Sequence, residues 1–110
     1  MKITKTEKYT TLKPTEESLN IFLNKLENNL LEFKGEHLIL DFSEKINTTL
    51  KELLLFLKIS NKHRENGTSF VIIFKGIDID EIPEEINIVP TFTEALDILE
   101  MDAIERDLGF

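Results

Sequence analysis

The sequence predicts an α/β fold, a mixed four- to five-stranded sheet with an N-terminal antiparallel strand pair and packed helices, on three observations. Two nearly unbroken apolar runs of strand length, Leu38-Ile39-Leu40-Asp41-Phe42 and Phe70-Val71-Ile72-Ile73-Phe74, suit strands covered on their faces. Stretches of helical period separate such runs, and alternation of this kind calls for parallel strands joined by crossover helices. The first two β-like runs are joined by a link too short for a crossover, so they pair antiparallel. The element order is β-β-α-β-α-β-(α)-β-α, and the 110 residues form a single domain, 1–110, large enough to bury a core without metal or disulfide staples.

Each element has a local reason. Lys2–Thr6 and Tyr9–Lys13 carry Thr, Ile and Tyr in partial alternation, a strand signature. Pro14 ends the second strand, and Thr15 is placed to cap a helix with Glu16 and Glu17 in its first turn. Leu19, Phe22, Leu23, Leu26, Leu30 and Phe33 form one apolar stripe at helical spacing, and Gly35 sits where a left-handed C-terminal turn is wanted. After the strand ending at Phe42, a polar loop leads to Thr49-Leu50-Lys51-Glu52, a capping box that opens a second helix with Leu50, Leu53, Leu54 and Leu57 as its buried stripe, widened by Phe56 and Ile59. Gly67 closes that helix and Phe70–Phe74 follows as a strand. Gly76–Glu85 is an acidic connection with room for a short helical turn, and Ile86–Val89 is a short strand. Thr91 and Glu94 make another capping box, opening an amphipathic helix through Phe92, Ala95, Leu96, Leu99, Ala103, Ile104 and Leu108, with a break allowed near Met101.

Composition excludes more than it assigns. With no cysteine there is no disulfide, thiolate nucleophile or Cys-ligated metal. No apolar run approaches the roughly 18 residues of a membrane span. The opening MKITKTEKYTTLK has no apolar signal region, so a cytoplasmic location is expected. The net charge of −8 is unevenly placed: residues 1–75 hold 12 basic and 10 acidic side chains, whereas residues 76–110 hold 11 acidic ones and Arg106 alone. Such a surface repels phosphates, so neither nucleic acid nor an anionic membrane is expected as a partner. A protein partner with a basic patch, or simply a solvated acidic helix, fits instead.

No constellation for catalysis emerges, and neither an enzyme, a cofactor nor a metal is expected. His37 and His63 have no second ligand at metal spacing and are read as exposed or partly buried spectators. Asp78-Ile79-Asp80-Glu81-Ile82-Pro83-Glu84 lacks the Gly that turns a calcium loop. The four glycines are scattered, and no Ser sits in a Gly-x-Ser-x-Gly elbow. Asn47-Thr48-Thr49 and Asn66-Gly67-Thr68 match the glycosylation pattern by chance in a chain without an export signal. Lys58, Lys62, His63 and Arg64 fall in the last turns of a helix, where cations suit its dipole.

One segment carries a functional expectation. Ser43-Glu44-Lys45-Ile46-Asn47-Thr48-Thr49 joins the C-terminal end of a buried parallel strand to a helix start, the edge where function tends to sit in such sheets. A phosphate on Thr48 or Thr49 would add about −1.5 to −2 charges at the positive end of the helix dipole, altering the surface without unfolding the helix. The plain alternative is an N-cap with polar neighbours.

The element order, the strand Leu38–Ser43 and the Thr-led helix after it resemble the STAS domain, a family that includes the bacterial anti-sigma factor antagonists. Asp41-Phe42 matches that family's strand end, Asn47-Thr48-Thr49-Leu50 falls near its Asp-Ser-Ser/Thr-Gly-Leu switch segment, and Val89–Ala95 looks like its last strand-to-helix turn. Asn47 stands where Asp is usual, no Gly precedes Leu50, and the loop is about two residues shorter than the family pattern. The resemblance implies a small bacterial protein-interaction module whose partner is a kinase-type anti-sigma factor. Thr48 is then the first phospho-acceptor and Thr49 the second, with Ser43, Asn47 and Leu50 as partner contacts. The departures imply the alternative, a STAS-like scaffold or small-ligand module without phosphorylation.

Overall fold

The computed structural model describes residues 1–44 and 48–109. Five strands, β1 (Lys2–Lys5), β2 (Thr10–Lys13), β3 (Leu38–Asp41), β4 (Phe70–Ile73) and β5 (Asn87–Val89), form one sheet in chain order. β1 and β2 pair antiparallel, and β2 through β5 run parallel. The predicted α/β class, the N-terminal hairpin and the mixed sheet are therefore all present.

The register explains the layering. Leu12, Leu40, Ile72 and Ile88 are aligned across four strands, giving one face a continuous apolar row. On that face pack α1 (Leu19–Asn28), α2 (Leu50–Leu53) and α3 (Leu57–Glu65), through Leu19, Phe22, Leu26, Leu53, Phe56 and Ile59. The opposite face is apolar only at its centre, where Ile39, Val71 and Ile73 meet Ala95, Leu96, Ile98 and Leu99 of α4 (Phe92–Asp107). Toward β2 and β1 that face turns polar, with Thr11 aligned beside Ile39 and Thr4 beside Thr11, so a single helix covers what needs covering.

Local outcomes differ from expectation at four places. Ser18, not Thr15, caps α1: its hydroxyl accepts from the Ile21 amide, while Thr15 and Glu16 are drawn away to bind the Met1 ammonium at 2.6 and 2.5 Å. Glu16 also pairs with Lys25 at 3.1 Å. The second helix is not uniform, for Leu54–Phe56 wind as a 3₁₀ turn between α2 and α3. In that tighter coil residues three apart eclipse, which puts Leu53 and Phe56 in line and fully buries both, leaving the predicted Leu50, Leu54 and Leu57 half-buried. α4 runs unbroken past Met101, and of its predicted stripe Phe92, Ala103, Ile104 and Leu108 are exposed, because the helix makes its apolar contact with the sheet only over its first two turns, through Ala95, Leu96 and Leu99. His63, expected to be at most partly buried, lies 4% exposed with Nε2 donating to the Glu36 carbonyl at 2.5 Å.

Candidate functional site

The β3–α2 connection occupies the C-terminal edge of the parallel strands, as expected, and its start is built on a rigid floor. Phe42, directly after β3, extends the ladder by donating to the Ile73 carbonyl at 2.9 Å. Its buried ring packs against Phe22 of α1 and Phe56 of the 3₁₀ turn, with centroids 5.4 and 5.6 Å away. Three elements thus converge beneath this edge, an arrangement that fixes where the chain leaves the sheet.

From that floor the backbone turns outward. Asp41 Oδ1 accepts from the Ser43 amide at 2.9 Å, an Asx turn that reverses the chain and exposes the Ser43 side chain. Glu44 reaches back to Lys13 at the end of β2, 3.0 Å away, and this carboxylate raises the lysine pKa. The pair is solvent-exposed and contributes little energy. Asn47, predicted as a partner contact, lies outside the described residues.

Thr48 and Thr49 lead into α2. Thr48 is half-buried, its hydroxyl 3.5 Å from the Thr49 carbonyl. Thr49 has the extended backbone of an N-cap, φ −119° and ψ 165°, and its exposed hydroxyl accepts from the Glu52 amide at 3.3 Å. The predicted capping residue is therefore correct. Leu50 is half-buried against the core formed by α1, α3 and the sheet. Ser43, Thr48, Thr49 and Leu50 are thus all borne by the one connection, with the two threonines differing in access: Thr49 is open and Thr48 partly covered.

A second polar cluster, at the opposite edge, was not legible in the sequence. The Ser69 amide donates to His37 Nδ1 at 2.9 Å, and the Ser69 hydroxyl donates to Asp102 of α4 at 2.7 Å. Nearby, Glu36 accepts from the Thr10 hydroxyl and pairs with Lys5 at 3.3 Å, and the Thr68 hydroxyl donates to the His63 carbonyl at 2.7 Å. Burial lowers the pKa of both histidines, against the favourable fields of Asp102 on His37 and Glu36 on His63. The contributing residues are up to 33 positions apart, with no short motif linking them.

Among the described residues no group of three or more His, Cys, Asp or Glu is placed to hold a metal ion. No helix is long and apolar enough to cross a membrane among them. Neither a protein-family model nor a curated protein matches this sequence.

Proposed function

We propose that this chain is a small bacterial STAS-like protein-interaction module that acts as an anti-sigma factor antagonist, switched by phosphorylation at the start of α2. The observation that carries the reading is the exposed Thr49 hydroxyl, held by the cap of the helix that follows the C-terminal end of β3. A phosphoryl group there has the first-turn amides of the 50–65 helical segment to meet it, and it changes the charge of a partner-facing surface by about −1.5 to −2. The resemblance ranks Thr48 first; accessibility favours Thr49. The module itself is non-catalytic in this reading, and the kinase-type partner supplies the chemistry.

The test is to incubate the chain with ATP and a kinase-type anti-sigma factor encoded in the same genome, then locate phosphate by mass spectrometry. Phosphate on Thr49 or Thr48 is expected, with weaker partner binding for the matching Glu variant. No phosphate on either threonine, together with partner binding unchanged by Thr48→Glu and Thr49→Glu, would replace this reading by a STAS-like scaffold that has no switch.

A further inference from the structure

A cleft of about 640 Å³ lies between the β1–β2 turn and the C-terminal half of α4, on the face of the sheet away from α1 and α3. Its volume falls in the range of small-molecule sites. Tyr9, Leu96 and Leu99 give it apolar walls, and Tyr9 is held in place edge-on against Phe92, with ring centroids 5.8 Å apart. Ala103, one turn beyond Leu99 on the same helix face, leaves space where a larger side chain would close the cleft.

One end of this cleft is furnished with hydrogen-bond donors. His37 Nδ1 accepts from the Ser69 amide, so its lone pair faces that amide and the neutral ring carries its proton on Nε2. Ser69 in turn pins Asp102, the neighbour of Ala103, so the helix is tied to the sheet beside His37. Arg106 lies next along the cleft-facing side of α4, near enough for its charge to act on His37, and Lys8 stands on the opposite rim. Among the described residues the ion pairs are Met1–Glu16, Lys5–Glu36, Lys13–Glu44 and Lys25–Glu16, so neither Arg106 nor Lys8 is engaged in one. Arg106 is also the single cation among the last 35 residues, against 11 carboxylates, and it stands on the rim shared by this cleft and the neighbouring one lined by Glu84, Glu85 and Asp102. Glu7 and Glu100 on the rim balance the two cations, which disfavours polyanions such as phosphates and suits a single negative charge attached to an apolar body.

We propose that this cleft binds a small carboxylate with an aliphatic or aromatic body, the carboxylate meeting Arg106 and His37 Nε2–H and the body lying along Tyr9, Leu96 and Leu99. The site is separate from the β3–α2 connection, and it stands or falls independently of any phospho-switch there.

Octanoate, octanamide and octylamine titrated into the ¹⁵N-labelled chain provide the test. Octanoate should give saturable amide shifts clustered at Tyr9, His37, Leu99 and Ala103, and should bind about tenfold more tightly than either uncharged or cationic counterpart. Arg106→Gln, at an exposed position, should weaken octanoate about tenfold, and Ala103→Leu should abolish its saturable shifts while the spectrum elsewhere stays that of the folded chain. Equal affinity for octanoate and octanamide or octylamine, octanoate shifts that do not saturate or do not cluster at the cleft, or an Arg106→Gln variant that binds as tightly as the parent would each overturn the proposal. The ligand comparison needs no variant, so it decides the matter even if a substitution disturbs folding.

Discussion

Two polar side chains in the helical layer, Glu16 and Ser60, have opposite fates. Glu16 is half-buried and fully partnered: desolvation pushes its pKa upward, but hydrogen bonds from the Met1 ammonium, Lys25 and the local backbone outweigh that and bring it down to about 2. Ser60 is fully enclosed within α3, and among the described residues its hydroxyl has no hydrogen-bond partner. A hydroxyl stripped of water without a partner costs about 1–3 kcal/mol, and Ala is the better helix former. Ser60→Ala is therefore expected to stabilise the chain by about 1 kcal/mol, read as a higher denaturant midpoint with unchanged slope. A midpoint that stays put or falls would mean that the hydroxyl is satisfied in solution. Glu16→Gln makes the instructive contrast, because there an existing set of charged bonds is lost rather than an orphan removed.

Among the elements, the 3₁₀ turn between α2 and α3 has the largest structural consequence for its size. It delivers the Phe56 ring to Phe22 and Phe42 and thereby supports the place where the chain leaves β3. Phe56→Ala should cost about 3–5 kcal/mol by chemical denaturation, and should broaden or shift the amide signals of Phe42 and Ser43 at the connection. A loss under about 1 kcal/mol, with the Ser43 signal unmoved, would show that the aromatic floor does not hold this edge. The strands, the hairpin and both Thr caps were legible because each rests on neighbours in sequence: apolar runs, a link too short for a crossover, and a Thr three residues before a Glu. The winding of Leu54–Phe56 was not. Five consecutive bulky residues, Leu53 to Leu57, satisfy an α-helical stripe as well as a tighter coil, and tertiary burial of Phe56 decides between them. The cap of α1 was lost for a similar reason, since Thr15 and Ser18 are both competent caps and contacts with Met1 take the first away. At the candidate site the helix start and its threonines were foreseeable, whereas the unequal exposure of Thr48 and Thr49 depends on packing.

At the scale of the molecule, the two edges of the sheet respond differently to acid. The edge bearing the β3–α2 connection has exposed carboxylates, whereas the opposite edge encloses His37 and His63, both held neutral chiefly by burial. Their folded pKa values lie below the unfolded value of about 6.5, so below that pH the unfolded chain binds more protons than the folded one. His37 faces Arg106 and, across the sheet edge, the charge of His63, both opposing its protonation, with Asp102 favouring it; His63 has Glu36 as its favourable neighbour. Protonating His37 would also place a second proton on Nδ1 against the Ser69 amide, setting donor against donor where β3 and β4 begin. The stability contributed by these neutral histidines is thus intact above about pH 6.5 and is lost as pH falls below it and through their folded values. Thermal midpoints are expected to be level from about pH 8 to 7 and to fall between about pH 6.5 and 5. His37→Asn keeps an acceptor for the Ser69 amide, and His63→Gln keeps a donor for the Glu36 carbonyl, so the double variant should lose the slope while retaining the fold. A parent chain whose midpoint does not fall in that window, or a double variant with the parent's slope, would remove the histidines as the cause. A parent midpoint that holds or rises through that window would instead trace to the carboxylates of the −8 chain, whose partial neutralisation relieves repulsion, especially in the last third, and moves stability the other way.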